Sequence, residues 1–294
     1  MRRFNFRPSN RLRLSNQKEI VMTVINTNIG ALTARIHANR ADKHMHTHME
    51  RLSSGLRINR AADDAAGLAV ANKMAAQLKG INMAIRNSQD GVSLVQTAES
   101  SMNEVKNMLV RMREIAIQMH NGVYTDADRI NANLENTALK TQINATATNT
   151  AFNNVKLLDG TFTNVELRVG DTNAEVLTVS LDSIHASSLA AGLATANIST
   201  AAEAETTVTL LDTAIENLSA DQAAIGAIQN RLDYNISNLS NASVLTETAM
   251  GRIMDADFAK ESSGLAKQQI LSQASVAMLA QANQSRGTLM SLIQ

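Results

Sequence analysis

Residues 95–119 read VQTAESSMNEVKNMLVRMREIAIQM. Within this stretch Val95, Ala98, Met102, Val105, Leu109, Met112, Ala116 and Met119 recur at alternating spacings of three and four, without a break. That is the seam of a helix lying lengthwise on another helix. Leu68, Leu78, Ile85 and Val92 extend the same apolar face upstream, to N-cap candidates at Asp63 and Asp64. Asn121-Gly122 ends it. One helix over 64–120 would be about 85 Å long at ~1.5 Å per residue. Helices of ordinary globular domains are far shorter, so a coiled coil is expected.

The partner lies near the other end of the chain. After Ser199 a helical pattern returns, and Ile225, Ile228, Leu232, Leu239, Ala242, Ala249 and Ile253 mark one face. An antiparallel hairpin follows, in which Val95, Met102, Val105, Leu109 and Met112 meet Ile228 and Leu232. Asp255-Ala256-Asp257 predicts a break and a new N-cap. The helix from about 258 to 292 carries Leu265, Ile270, Leu271, Val276, Met278, Leu279, Leu289 and Leu292 on more than one face. Such a helix expects several neighbours. Near the start, Leu32, Ile36, Met45, Met49 and Leu52 predict a helix over 27–52, closed by Ser53-Ser54-Gly55-Leu56 with its glycine in the left-handed position.

Thr125 and Asp126 open a shorter helix, expected to fold back along the first through Ile130, Leu134 and Ala138. From 152 to 181 the period drops to two. Val155, Leu157 and Leu158 precede the turn dipeptide Asp159-Gly160, and Val165, Leu167 and Val169 alternate with Glu166 and Arg168. Gly170-Asp171 turns again before Val176–Leu181. A β patch of two or three strands is expected, packed on the helices because so few strands are marginal alone. The fold class is thus mainly α: a long antiparallel coiled-coil hairpin with a small β-hairpin patch.

Composition agrees with a thin helix–helix seam. The 294 residues include no Trp, two Tyr and five Phe against 14 Met, so the core must be built from aliphatic side chains and Met. There is no cysteine, which removes disulfides, thiolate metal sites and cysteine nucleophiles. Formal net charge is zero, yet Arg2, Arg3, Arg7, Arg11, Arg13 and Lys18 stand against Glu19 alone in residues 1–21. That segment has no apolar stretch of ~7–15 residues and is no secretory signal. It reads as a disordered basic extension, or as the result of a start codon placed too far upstream. Nothing downstream supports binding of nucleic acid. The uncharged run Gln268–Ser285 holds five Gln and one Asn, whose amides argue against membrane insertion.

Motifs for phosphate, dinucleotide or zinc-protease chemistry are missing, and so is the nucleophile elbow. Asp63-Asp64 reads as a helix cap rather than an acid/base pair. In His44-Met45-His46-Thr47-His48, His44 and His48 share a helix face as an i,i+4 zinc pair would. No third ligand is evident, so a solvated histidine face is expected, with a zinc-dependent enzyme as the remote alternative. No cofactor and no catalytic residue is expected.

Several longer stretches carry a resemblance. Val24-Ile25-Asn26-Thr27-Asn28 with Ala31-Leu32, then Glu50–Asn59, Asp63–Ala69 and Asp90–Glu99, resemble the N-terminal region of bacterial flagellins. Gly226–Leu232, Arg252–Asp257 and Ala277–Gln284 resemble their C-terminal region, in the right order. The similarity runs from Met22 to Gln294 and implies a structural subunit that polymerises head-to-tail into the flagellar filament for swimming. It implies extracellular localisation after export through the flagellar apparatus, without a cleaved signal peptide. The implied partners are further copies of the chain, the export apparatus and a flagellin chaperone, and the cap and hook-junction proteins. A hook–filament junction protein of the same family is the alternative.

The resemblance assigns 22–62 and 254–294 to a terminal filament-core domain, and 63–253 to a coiled-coil domain with the β patch at about 152–181. Leu32, Ile36, Leu271, Leu279 and Leu289 are the expected contacts in the polymer core. In an isolated subunit, residues ~22–60 and ~255–294 are expected to be largely disordered, because a lone helix nucleates poorly. Only about 20 Ala-, Ser- and Thr-rich residues separate Leu181 from the next helix, so this looks like a minimal form without outer domains. Arg286-Gly287 stands where many relatives have Pro-Gln. Arg111 matches the arginine with which some relatives engage an innate flagellin receptor. Ile115 replaces the leucine there and Asn133 the glutamate.

Overall fold

The computed structural model describes residues 27–172 and 174–291, with side chains through 285. Residues 1–21 and Leu292 lie outside what is described, as do the side chains of Arg286-Gly287 and Leu289. The described chain forms two compact units. One comprises residues up to Asn59 together with those from Ala256 onward, and the other runs from Arg60 to Asp255.

The second unit is built on two long helices. α2 spans Ala65–His120 over 56 residues, and its N-cap Asp64 accepts a hydrogen bond from the Gly67 amide. α5 spans Ala201–Met254, opened by a capping box between Thr200 and Glu203. They pack against each other along their length. Val95, Ala98, Met102, Val105, Leu109, Met112 and Ala116 from α2 are fully buried with Ala204, Leu211, Ala214, Leu218 and Leu232 from α5. Arg113 of α2 pairs with Asp212 of α5 at 2.5 Å at the edge of this seam.

α3, Asp126–Asn149, starts on a capping box of Thr125 and Asp128 and folds back on α2. The face it turns inward differs from the expected one. Ile130 and Leu134 are 55% and 69% exposed, and Ala138 is exposed too. Arg129, Asn136, Ile143 and Ala147 are buried instead. The reason is local. Arg129 Nε donates to the Met119 carbonyl at 2.8 Å and an Nη donates to the Asn121 carbonyl at 3.1 Å. These are carbonyls at the end of α2 that no helical amide can reach. Capping α2 rotates α3 so that Ile130 and Leu134 point outward.

The β region is two separate antiparallel pairs, not one patch. β1 (Ala151–Phe152) pairs with β2 (Val155–Lys156), and β3 (Val165–Arg168) pairs with β4 (Val176–Val179). The first hairpin turns on Asn153 and Asn154, both at positive φ. That is the two-residue turn whose twist matches the strands. Asp159-Gly160 does bend the chain, with Gly160 at φ 89°, but it closes no hairpin. Asn235 Nδ2 donates to the Val169 carbonyl at 2.8 Å and Asn87 Nδ2 to the Arg168 carbonyl at 3.1 Å, pinning β3 to both long helices. Leu167 lies over Gly91 of α2, where an added Cβ would come within 2.8 Å of it.

The Ala-, Ser- and Thr-rich segment between Leu181 and α5 is part of the core. The short helix α4 (Ala186–Leu189) and a 3-10 turn at Leu193–Thr195 carry Ile184, Leu189, Leu193 and Ile198 into the main hydrophobic cluster. Asn217 Nδ2 of α5 donates to the Leu189 carbonyl at 2.7 Å and holds it there.

The terminal unit is a pair of helices. α1 spans Ile29–Ser54 and ends on Gly55 at φ 72°, the left-handed cap expected of that glycine. α6 spans Phe258–Ser291, and Asp257 Oδ1 accepts from the amides of Ala259 and Lys260 at its start. The two helices pack together. The last carbonyl turn of α1 meets the start of α6 through the Ala256 amide, which donates to the Gly55 carbonyl at 2.9 Å.

Candidate functional site: the two helical seams

The hairpin seam brings together most of the residues expected there. Val95, Met102, Val105, Leu109, Met112 and Leu232 are completely buried, while Ile228 packs on the same cluster from a half-buried position. The N-terminal half of the α5 face, from Ala204 to Leu218, belongs to the seam as well. Its Ala and Thr residues masked a period that Leu211, Ala214 and Leu218 share with the rest.

The terminal seam is made largely of small and polar residues. Along α1 the buried or half-buried positions include Ala31, Ala34, Ala38, Ala41, Met45, His48 and Leu52, alternating by three and four. Along α6 they include Glu261, Leu265, Gln268, Ser272, Ser275, Leu279 and Ala282, with the same alternation. Small residues let two helix backbones approach closely. Of the residues expected to meet neighbouring subunits in the polymer core, Leu279 sits in this intrachain seam. Leu32 and Ile36 point away, 54% and 50% exposed, and Leu271 is 44% exposed on the rim of a groove of about 810 Å³ between the helices. Ile270, Val276 and Met278 are exposed as well. The large side chains of both terminal helices are thus left uncovered by the intrachain pairing.

One buried ionic cluster interrupts the terminal seam. Glu261 is 5% exposed. His48 Nδ1 donates to its Oε2 at 2.5 Å, and Arg51 Nη1 donates to Oε1 at 3.3 Å. Burial pushes the Glu261 carboxyl up, but the His48 hydrogen bond and the Arg51 charge outweigh it and hold the group below the ordinary range. Within the i,i+4 pair of His44 and His48, His48 is engaged by Glu261 through Nδ1, and no group of three or more His, Cys, Asp or Glu side chains that could hold a metal ion occurs among the described residues. Asp182 and Asp221 are among the residues lining a separate cleft, where burial and then the Asp182 charge raise the Asp221 carboxyl.

The three residues matched to an innate-receptor face sit in different environments. Ile115 is 3% exposed, in the core between the helices. Arg111 is exposed and bonded to Glu135 at 3.0 Å and Glu114 at 3.3 Å. Asn133 is half-buried and accepts from the Ile198 amide at 3.4 Å.

Two family descriptions match the halves of the chain that build these seams. Residues 25–163 match the bacterial flagellin N-terminal helical region, and residues 208–293 match the bacterial flagellin C-terminal helical region. The chain belongs to the bacterial flagellin family. It is 42% identical over 275 residues to the flagellin of Halalkalibacterium halodurans, covering 92% of this chain and 100% of the relative. The flagellin of Bacillus subtilis is 38% identical over 304 residues, covering 92% and 99%. Flagellin A of Vibrio cholerae aligns over 379 positions, more than the length of this flagellin, so that relative carries residues with no counterpart here.

Among solved structures, a Bacillus cereus flagellin matches 52% of this chain and 88% of its own at 34% identity, with a TM-score of 0.47. A putative flagellar hook-associated protein from Vibrio parahaemolyticus matches 66% of this chain and 100% of its own at 16% identity, with a TM-score of 0.56, and shows a shared fold. This flagellin is a structural subunit of the extracellular flagellar filament and not an enzyme. No helix among the described residues is long and apolar enough to cross a membrane.

Proposed function

We propose that the two units divide the work of polymerisation. Residues 63–253 form the element that folds within one chain, and 22–62 with 254–294 form the filament-core element completed by neighbouring subunits. The observation that carries this is the contrast between the seams. The hairpin seam is saturated by its own chain. The terminal pair leaves Leu32, Ile36, Leu271, Ile270 and Met278 exposed. Burying each such side chain contributes ~1.5–3 kcal/mol before ordering costs are subtracted. Stacked copies supply that burial, and Leu32, Ile36, Leu271, Leu279 and Leu289 are the proposed contacts. A head-to-tail contact that does not close into a ring propagates as an open helix.

It follows that the terminal helices order only on assembly, a state suited to passage through the flagellar export apparatus under a chaperone rather than by a cleaved signal. Addition beneath a cap, onto hook-junction proteins, completes the pathway that family membership supports. Limited proteolysis of the subunit and of the filament tests this. In the free subunit, cleavage is expected first in α1 and α6, and in the filament these sites should be protected. Equal resistance of ends and centre in the free subunit overturns the disorder-to-order step. Electron microscopy after seeding with filament fragments reads polymerisation directly, and failure to elongate would point to a junction role.

A further inference from the structure

We infer that Glu261, held by His48 and Arg51 and seated beside Gly264, sets the register in which α1 and α6 pair. This rests on the terminal pair serving as the filament-core element. The apolar part of the seam cannot set register well. On α1 it repeats Ala31, Ala34, Ala38 and Ala41 before Met45 and Leu52, and on α6 Leu265 and Leu279 are separated by Gln268, Ser272 and Ser275. A ladder of near-identical small steps fits its partner almost equally after a slip of one heptad. Polar ties remove that degeneracy, because a slip leaves a buried charge without its partner.

Three side-chain ties among those of the described residues cross the seam. Asn28 Nδ2 donates to the Ala282 carbonyl at 3.1 Å, and Ser272 Oγ donates to Asp42 Oδ1 at 2.9 Å. Either can be replaced by water at little cost, as both are only partly buried. The third is the Glu261 cluster, the one acid buried among the described residues. Its geometry is specific on both sides. At Gly264 an added Cβ would come within 2.6 Å of His48 Cε1 and 2.9 Å of Nε2, so only glycine lets the imidazole lie against α6 and reach Glu261. A slip of seven residues would bring the carboxylate beside Ala41 and Lys43–His44, or past the end of α1. The remaining charged groups nearby, Asp257 and Lys260 on α6 and Lys43 and His44 on α1, are exposed, and Glu50 is half-buried. None can substitute for Arg51 and His48 as buried partners.

The chain has no cysteine, so disulfide reporters can be placed without background. A Cβ built at Gly30 lies 3.6 Å from Ala282 Cβ, within disulfide range. Gly30→Cys with Ala282→Cys reports the native register, and Gly30→Cys with Ser275→Cys reports a slip of one heptad. Both pairs are oxidised in assembled filaments of the full chain, and the intrachain product is quantified by mass spectrometry. In the parent the 30/282 bridge is expected to exceed the 30/275 bridge at least tenfold. Adding Glu261→Gln should reduce that ratio at least fivefold, and Gly264→Ala, which keeps every charge, should reduce it in the same direction. If Glu261→Gln does not assemble, the ratio is read in Gly264→Ala alone. A ratio unchanged within twofold in the variant that assembles overturns the register role. Failure of the parent cysteine pairs themselves to assemble counts against the filament-core reading instead.

Discussion

Glu261 shows how one charge can govern an interface that is otherwise small and weakly apolar. Its carboxyl is held below the ordinary range, with burial opposing and His48 and Arg51 favouring the ionised form. A carboxylate with a depressed folded-state value contributes stability that is fully present above its unfolded pKa of ~4.3 and is lost as pH falls through the lower folded value. Acidifying filaments from pH 5 to pH 3 should therefore loosen the α1–α6 pair. In Glu261→Gln that component of the pH dependence should vanish, with filaments weaker at pH 7 by about 1–3 kcal/mol per subunit. This figure lies below the usual cost of breaking a buried pair because His48 and Arg51 are partly exposed. Sedimentation of filaments across that pH range, wild type against variant, checks it. In the hairpin the deciding quantity is burial rather than charge. Leu109 is completely buried and Leu134 is 69% exposed. Leu109→Ala should cost ~2–5 kcal/mol in urea unfolding of the full chain, and Leu134→Ala no more than about 0.5 kcal/mol.

At the scale of elements, boundaries were the most legible part of the sequence because each carries its own chemistry. Asp64, Thr125 and Gly55 are caps in the structure as their residue types suggest, and Asp257 starts α6. The inward faces of α1 and α3 were not legible in the same way. On α3 Ile130 and Leu134 were expected to face α2, and they point outward. On α1 the seam runs through alanines, since close backbone approach favours small side chains, and Leu32 and Ile36 are left outside. The alternation of Ala31, Ala34, Ala38 and Ala41 was the available signal, and it has the same period as the α2 seam. On α3 the orientation depends on Arg129, 6% exposed, whose donors are spent on the end of α2. No periodicity of α3 alone could reveal that. Arg129→Met retains the stem and removes the donors, leaving the Met119 and Asn121 carbonyls and Asp126 without this partner. It should destabilise the hairpin unit by about 1–3 kcal/mol in urea unfolding. Hydrogen exchange should rise first in the last turn of α2 and the first turn of α3.

For the whole molecule, the central question is which apolar surface belongs to the subunit and which to the polymer. The seam of α2 and α5 was readable because large aliphatic side chains and Met fill it, and one chain supplies both sides. The terminal surface was readable only as an excess: α6 is apolar on more faces than α1 can cover, and the structure leaves Ile270, Leu271, Val276 and Met278 exposed even with α1 in place. Leu32 and Ile36 make the sharper test because they share a helix with the alanine seam but not its face. Changing both to Ser leaves every intrachain tie named above intact, so the unfolding free energy of the α2–α5 unit in urea should not change by more than about 0.5 kcal/mol. In a filament each residue forfeits ~1.5–3 kcal/mol of burial, which for the pair raises the critical concentration by roughly two to four orders of magnitude. Seeded elongation followed by light scattering measures that concentration. A double variant that elongates at the wild-type concentration would mean that these side chains face solvent in the polymer too. The core contacts would then have to be sought on Ile270, Val276 and Met278, the remaining exposed flank of α6.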